Sequence, residues 1–172
     1  MDIYIAFGSN QALGRRMPRK VLCEAAETLE TRGVRLVARS SLWQSPAWPD
    51  PADPAYVNAV AQVETHLTPT QLLWCLHEVE EQFGRVRSQR NAPRTLDLDI
   101  VDFGGLVADG GEGPVLPHPR AHQRAFVLLP LQEIAPGWKH PVTGNVISRL
   151  IDALPPGDIH ATAQLGPFVR GG

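Results

Sequence analysis

The chain contains 172 residues, of which 43% are hydrophobic and 20% are charged, as in an ordinary globular domain. Its formal net charge of -2 argues against a protein whose main task is to coat nucleic acid, because that task usually needs a basic surface. Both cysteines fall in helix-like patterns, and no segment is typical of a disulfide framework, a signal peptide or a transmembrane helix. We therefore expect one cytoplasmic domain over residues 1–172.

The first third of the chain alternates between strand-like and helix-like patterns. Apolar residues at every second position of residues 3–7 predict a strand that ends in a turn. Helically spaced apolar residues after Pro18 predict a helix that ends before Gly33. Residues 34–43 alternate again, which predicts a second strand. Four prolines between residues 45 and 54 then predict a stiff, irregular loop.

The middle of the chain repeats this alternation with stronger signals. A strand over residues 56–65 places Tyr56, Asn58 and Val60 on one face. Thr68, followed by a proline and a glutamine at the third helical position, predicts a capping box, and the helix runs to Gly84. On this helix His77, Glu80 and Glu81 are spaced as neighbours on a face separate from the apolar stripe.

The last third of the chain has weaker patterns after one clear strand at residues 96–103. Residues 115–119 indicate a short strand, and residues 122–134 indicate a helix interrupted at Pro130. Residues 146–154 indicate one more short helix, and the final dozen residues indicate only weak strand or coil.

The order strand, helix, strand, strand, helix, strand is typical of the split βαβ arrangement. It predicts an α+β fold: a ferredoxin-like antiparallel sheet (βαββαβ core) with helices over one face and a C-terminal α/β extension. The other face is then available for a ligand.

Two aspartates lie on the last core strand. Because Leu96, Leu98 and Ile100 alternate with Asp97 and Asp99, both carboxylates project from the face opposite the core. Neighbouring carboxylates repel each other, and Mg²⁺, which prefers oxygen ligands, relieves that repulsion. The pair therefore indicates a metal site, although an ordinary solvated strand face shows the same alternation.

A cluster of arginines precedes these aspartates. Arg85, Arg87, Arg90 and Arg94 are suited to phosphate oxygens beside a bound metal ion. A solvated basic loop, or ion pairs with the two aspartates, would explain the same residues.

The segment RNAPRTLDLDIV (residues 90–101) resembles from end to end the signature of the 6-hydroxymethyl-7,8-dihydropterin pyrophosphokinases. Similarity to that family also appears, in family order, across about residues 3 to 136, at residues 7–10, 45–46, 56–59, 84–87 and 116–120. The resemblance implies transfer of the pyrophosphoryl group of ATP to the pterin hydroxymethyl group, giving AMP and the pterin diphosphate in folate biosynthesis. It also implies two Mg²⁺ ions and ATP as co-substrate. From charge and composition we expect no nucleic-acid or membrane partner, and we expect a monomer.

The resemblance also implies roles for individual residues. Asp97 and Asp99 would bind the metal ions, and Arg85 and Arg94 would act with them as catalytic residues at the phosphates. The residues that would bind ATP are His77, Glu80, Arg87, Ile100, His118 and Arg124. Those that would bind the pterin are Gly8, Ser45, Pro46, Trp48, Tyr56, Asn58 and Phe126.

The chain departs from the family pattern at two positions. His77 stands where a glutamine is often found, and Asn91 stands where better-known members carry a tryptophan in a loop one residue longer. The second departure affects how that loop seals the pterin rather than the chemistry.

Three other interpretations fit parts of this pattern. A ferredoxin-like RNA-binding module would use the sheet face and the arginine loop, but paired aspartates on that face would repel RNA. A two-metal phosphodiesterase or nuclease would use the same carboxylates and differ in its products. A non-catalytic homologue would be expected to have lost the aspartates or the arginines.

Overall fold

The computed structural model describes residues 1–84 and 95–169. Its antiparallel main sheet has the strand order β5-β1-β4-β3-β8, with β2 also paired to β4. The strands are β1 Ile3–Ser9, β2 Arg35–Arg39, β3 Ser41–Ser45, β4 Tyr56–Glu64, β5 Asp97–Phe103, β6 Ala108–Asp109, β7 Val115–Leu116 and β8 Ala163–Pro167, of which β6 and β7 form a separate pair. The helices are α1 Pro18–Thr31, α2 Pro69–Gln82, α3 Ala125–Ile134, α4 Ile147–Asp152 and α5 Pro156–Ala161, with a 3-10 turn at Ala121–Gln123.

The main core lies between one face of the sheet and helices α1 and α2. The alternate residues Ile3, Ile5 and Phe7 of β1 pack there with the apolar stripes of both helices. α2 begins with the predicted capping box, in which the Thr68 hydroxyl accepts from the backbone N–H of Gln71 and the Gln71 side chain accepts from that of Thr68. The predicted antiparallel sheet with helices over this face is confirmed.

The C-terminal extension adds a second, smaller core on the opposite face. Buried residues of α3 and α4 pack there against Tyr4, Val60 and Val101 of three neighbouring strands. Gly8, Asn58 and Asp97 lie outside this second core, at the end of the face that α3 and α4 leave uncovered. No helix within residues 1–84 and 95–169 is long and apolar enough to cross a membrane.

The single strand expected at residues 34–43 is wrong, because Ser40 divides it into β2 and β3. The buried backbone N–H of Ser40 donates to the Val60 carbonyl at 2.9 Å, and its hydroxyl accepts from the Val60 N–H at 2.9 Å. Because a side-chain oxygen replaces a backbone carbonyl at this point, the chain shifts register while both halves remain paired with β4.

The interruption expected at Pro130 is also wrong. α3 continues through that residue, and the break falls at Arg124, whose extended backbone separates the 3-10 turn from α3. Proline removes one helical hydrogen bond, but Val127, Leu128 and Leu131 are buried on either side of it, so tertiary packing outweighs the local cost.

The last residues that the structure describes include a strand of the main sheet. β8 pairs with β3, and the Phe168 ring lies 5.3 Å from the Phe7 ring, centroid to centroid, in an edge-to-face contact. Phe168 is 3% exposed and belongs to the main core. The C-terminal segment therefore supports β3 at the edge of the sheet.

Candidate active site

One row of paired residues crosses the sheet at the uncovered end of its second face. Gly8 on β1 pairs with Asp97 on β5 and with Asn58 on β4, and Asn58 pairs in turn with Trp43 on β3. Directly opposed residues share a face of a sheet. A Cβ atom built on Gly8 would lie 3.6 Å from Asn58 Oδ1, 3.9 Å from Asp97 Cβ and 3.9 Å from Tyr56 Cδ1. Gly8 is therefore the point where an acidic half and an aromatic, amide-containing half meet.

The acidic half consists of Asp97 and Asp99. They pair with Gly8 and Ala6, two residues on the same face of β1, so the prediction that both carboxylates share a face is confirmed. Both side chains are partly exposed. Small residues opposite them leave room for a ligand, and carboxylate oxygens are the donors that Mg²⁺ prefers. The described residues contain no cluster of three or more metal-ligating His, Cys, Asp or Glu side chains.

His118 lies beside the acidic half at the outer edge of β5. Its backbone N–H donates to the Val101 carbonyl at 2.9 Å, and its Nε2 lies 3.9 Å from Asp99 Oδ2. Its Nδ1 accepts from the backbone N–H of Arg120 at 3.1 Å. Because Nδ1 is an acceptor, the neutral ring carries its proton on Nε2, the atom closest to Asp99.

The charge state of His118 follows from its surroundings. Its pKa is lowered to about 4, chiefly by burial and then by the positive charge of Arg124, while the carboxylate of Asp97 partly opposes the shift. The imidazole is therefore neutral at pH 7, and it presents an N–H donor rather than a base.

The second half is a buried polar pair with an aromatic neighbour. Asn58 and Ser45 are each 3% exposed, and Asn58 Nδ2 donates to Ser45 Oγ at 2.9 Å. The amide oxygen of Asn58 is therefore turned toward Gly8. Tyr56, next on the same face of β4, is partly buried. The structure thus brings together Gly8, Ser45, Tyr56 and Asn58 as the sequence predicts.

The remaining residues expected at the pterin lie on α3 and on the proline-rich loop. Phe126 lies in the first turn of α3 and is partly buried, with the Arg124 guanidinium 5.4 Å from its ring centroid. Pro46 and Trp48 stand on the proline-rich loop, and Trp48 is 70% exposed. Asn10 holds the far end of that loop through a 3.2 Å hydrogen bond from Nδ2 to the Pro54 carbonyl.

Two residues expected at the nucleotide have buried side chains, which contradicts the exposed face predicted for Glu80 and agrees with the core-facing position predicted for Ile100. Glu80 is fully buried and accepts from the backbone N–H of Leu98 at 2.9 Å, so it shares no exposed face with His77 and Glu81. The Ile100 side chain is 4% exposed in the main core, on the face opposite the aspartates. Arg85, Arg87 and Arg94 lie outside the described residues, as does Asn91.

Sequence reasoning missed a network that ties α3 to the second half. The Glu133 carboxylate accepts from the Ser41 hydroxyl at 2.8 Å, from the Ser41 backbone N–H at 3.1 Å and from the Trp43 indole N–H. Trp43 stands beside Asn58 in the row that crosses the sheet. Trp43 and Ser45 are two residues apart, so the sequence predicts that they share a face of β3. No local pattern connects Trp43 with Glu133.

Comparisons with known proteins agree with this geometry. A family model described as 7,8-dihydro-6-hydroxymethylpterin-pyrophosphokinase (HPPK) matches residues 4–136. The 2-amino-4-hydroxy-6-hydroxymethyldihydropteridine pyrophosphokinase of Pseudomonas aeruginosa is 40% identical over 89% of this chain and 91% of its own length. That of Methylorubrum extorquens is 38% identical over 91% and 95%, respectively.

Some relatives are longer proteins. The folic acid synthesis protein fol1 of Pneumocystis carinii is 38% identical over 91% of this chain, which spans only 20% of the fol1 length. The chain spans 64% of the corresponding pyrophosphokinase of Synechocystis. A crystal structure of Plasmodium falciparum HPPK-DHPS superimposes with a TM-score of 0.66 over 88% of this chain and 44% of that chain. At 14% identity this last likeness supports the fold alone.

Proposed function

Since the chain belongs to the 7,8-dihydro-6-hydroxymethylpterin-pyrophosphokinase family, we propose that it transfers the pyrophosphoryl group of ATP to the hydroxymethyl group of 6-hydroxymethyl-7,8-dihydropterin. The products are AMP and the pterin diphosphate, in a step of folate biosynthesis. A cytoplasmic location, a monomeric state and the absence of a nucleic-acid partner are part of the same proposal.

The row through Asp97, Gly8 and Asn58 carries this proposal. It spans two strand spacings, about 10 Å, so a phosphate site and a ring site lie next to each other on one face. Gly8 contributes no side chain between them. A hydroxymethyl oxygen held over Gly8 is therefore adjacent both to the ring pocket and to phosphates held at the aspartates.

The second half of the site has groups suited to a pterin. Because Ser45 Oγ already accepts from Asn58, its own hydroxyl hydrogen is available to donate, while the Asn58 oxygen can accept. The edge of a pterin offers both N–H donors and a carbonyl acceptor, which this pair complements. Tyr56 and Phe126 would contact the faces of the ring, with Pro46 and Trp48 on the adjoining loop.

The first half has groups suited to a metal-bound triphosphate. Asp97 and Asp99 would hold two Mg²⁺ ions, which when bound neutralise phosphate charge and keep the reacting groups in line. Arg85, Arg87 and Arg94 would contact the phosphates. The neutral His118 would donate from Nε2 to a phosphate oxygen, and Arg124, His77 and the backbone of Ile100 would complete the nucleotide site.

The chemistry proposed is one in-line displacement. The hydroxymethyl oxygen attacks the β-phosphorus of ATP, the bond from that phosphorus to the α,β-bridging oxygen breaks, and AMP leaves with the bonding electrons. The hydroxyl proton passes to solvent, since His118 is already protonated on the nitrogen nearest the site. The chain therefore acts through positioning and charge stabilisation, as in other phosphoryl transfers.

AMP release tests this proposal directly. The full chain is incubated with ATP and Mg²⁺, with and without 6-hydroxymethyl-7,8-dihydropterin, alongside Asp97→Ala and Asp99→Ala. Asp109→Ala removes an exposed aspartate from β6 and serves as the control. We expect pterin-dependent AMP formation that both site variants lose and the control retains. No AMP from folded wild type, or cleavage of nucleic acid instead, would contradict the proposal.

A further inference from the structure

The outer edge of β5 is held by two groups from outside the sheet. β5 stands at one end of the strand order, so within residues 1–84 and 95–169 its outward backbone groups have no neighbouring strand in the main sheet. The Leu98 N–H donates to Glu80 Oε2 at 2.9 Å, and the Val101 carbonyl accepts from the His118 N–H at 2.9 Å. Glu80 therefore accepts a hydrogen bond from the backbone N–H of the residue that lies between Asp97 and Asp99.

Glu80 is unusual among the buried side chains of α2. The others are Leu72, Cys75, Leu76 and Val79, all apolar or nearly so, whereas Glu80 carries a carboxylate at 0% exposure. An ionised group is costly to remove from water, and an apolar side chain at such a position is often at least as stabilising. The feature that distinguishes Glu80 from its apolar neighbours on α2 is its pair of acceptor oxygens.

The bond from Glu80 constrains the part of β5 that bears the aspartates. The Leu98 side chain is anchored in the main core at 2% exposure, and its N–H is anchored to Glu80. With both fixed, the two flanking carboxylates are directed to the opposite face at the pairing positions of Gly8 and Ala6. Groups that hydrogen-bond the surroundings of metal ligands commonly tune metal affinity.

We infer that Glu80 is a positioning residue that, through Leu98, holds Asp97 and Asp99 in the arrangement that binds a divalent cation. This inference rests on the proposed function, because it takes the two aspartates to be the metal ligands. It assigns Glu80 a role that differs from the direct nucleotide contact expected from the family resemblance.

The test measures Mn²⁺ binding by electron paramagnetic resonance, with α,β-methylene-ATP present so that no turnover occurs. The full-length variants compared are Glu80→Leu, which fills the space without an acceptor, and Glu80→Gln, which keeps an acceptor oxygen. Glu78→Gln is the matched control, because it removes an exposed carboxylate of the same helix that is paired with Arg32. Circular dichroism and thermal unfolding establish that each variant is folded.

We expect Glu80→Leu to weaken Mn²⁺ binding by about tenfold or more, the range found when partners of metal ligands are removed. Glu80→Gln should restore binding to within about threefold of wild type, because a neutral acceptor replaces a charged one. Glu78→Gln should bind as wild type does. Folded Glu80→Leu with wild-type affinity would show a purely structural role and overturn the inference.

Three further outcomes also decide the inference. If Glu80→Leu does not fold, Glu80→Gln decides, since a loss of about tenfold in a folded variant that keeps the acceptor contradicts positioning through Leu98.

Asp97→Asn reports on the proposed function itself. If Asp97→Asn binds Mn²⁺ as tightly as wild type, the metal platform is wrong, and the inference is overturned with it. A loss in Asp97→Asn but none in Glu80→Leu overturns the inference alone.

Discussion

Asp97 and Asp99 stand on the outermost strand with partly exposed carboxylates, whereas Asn58 lies on the central strand β4 with 3% of its surface exposed. The Glu80 carboxylate bonds the backbone N–H of Leu98, between the two aspartates, whereas Asn58 is held by a hydrogen bond at its own side chain. The acidic half thus keeps its charged oxygens open to a hydrated ligand, while the other half is formed before any ligand arrives. Changes in the two halves should therefore affect stability and activity differently.

The largest expected effect is a loss of activity without a loss of stability in the acidic half. Asp97→Asn should lower kcat/KM by about 100-fold or more, because it removes a charge that would hold the metal ions at the phosphates. Its melting temperature should change little, since the side chain is partly exposed and the amide keeps nearly the same shape. Steady-state kinetics and thermal denaturation measure the two effects, with Asp109→Asn as the control. A matching fall in stability would contradict this view of the acidic half.

A substitution in the second half of the site should lower both activity and stability. Asn58→Ala removes a buried hydrogen bond and leaves Ser45 without this donor, at a cost of about 1–3 kcal/mol in the free energy of unfolding. The KM for the pterin should rise about tenfold or more, while Mn²⁺ affinity should be unchanged. Gln62→Ala, a partly exposed change on the same face of β4, is the control. Wild-type stability in urea titrations of Asn58→Ala would contradict the expected preorganisation.

A substitution at Gly8 tests whether the two halves of the site meet at this residue. The added methyl group of Gly8→Ala meets its neighbours at 3.6 to 3.9 Å, an ordinary contact distance, so the fold should be retained. The methyl occupies space between the ring site and the phosphate site, so the KM for the pterin should rise by about tenfold. Gly137→Ala, where an added Cβ has no neighbour within 4 Å, is the control. Unchanged kinetics in Gly8→Ala would place the reacting oxygen elsewhere.

The smallest expected effect is a pH dependence of stability in the layer formed by α3 and α4, which carries Phe126. His140 is 6% exposed, and burial lowers its pKa, with a further lowering by the nearby His122. Since the unfolded state then binds a proton more readily, this contribution to stability is complete above the unfolded pKa of about 6.5 and is lost as the pH falls toward the folded value.

Urea unfolding at several pH values between about 7.5 and 5 measures this loss across the ordinary histidine pKa. We expect the free energy of unfolding to fall with pH in the wild type and to fall less steeply in His140→Asn. His160→Asn, at an exposed position, should retain the wild-type slope. Equal slopes in His140→Asn and the wild type would assign the pH dependence to other groups.

Features that depend on neighbours within a few residues could be predicted from the sequence. The capping box at Thr68, the helices that begin at Pro18 and Pro69, and the common face of Asp97 and Asp99 follow from local periodicity and hydrogen bonding. The common face of Tyr56 and Asn58 follows from the same two-residue period. The sequence therefore predicts which candidate site residues of one strand share a face, without knowledge of the fold.

The sequence by itself thus determined the element types, the fold class and the family signature, because these are encoded in short patterns. Only the tertiary structure decided that Ser40 divides a strand, that α3 continues through Pro130, and that Glu80 is buried against Leu98. Glu133 and Trp43, 90 residues apart, meet only because α3 packs over β3. Such contacts depend on which elements lie side by side, and that choice is made by burial of apolar surface over the whole chain rather than by any local pattern.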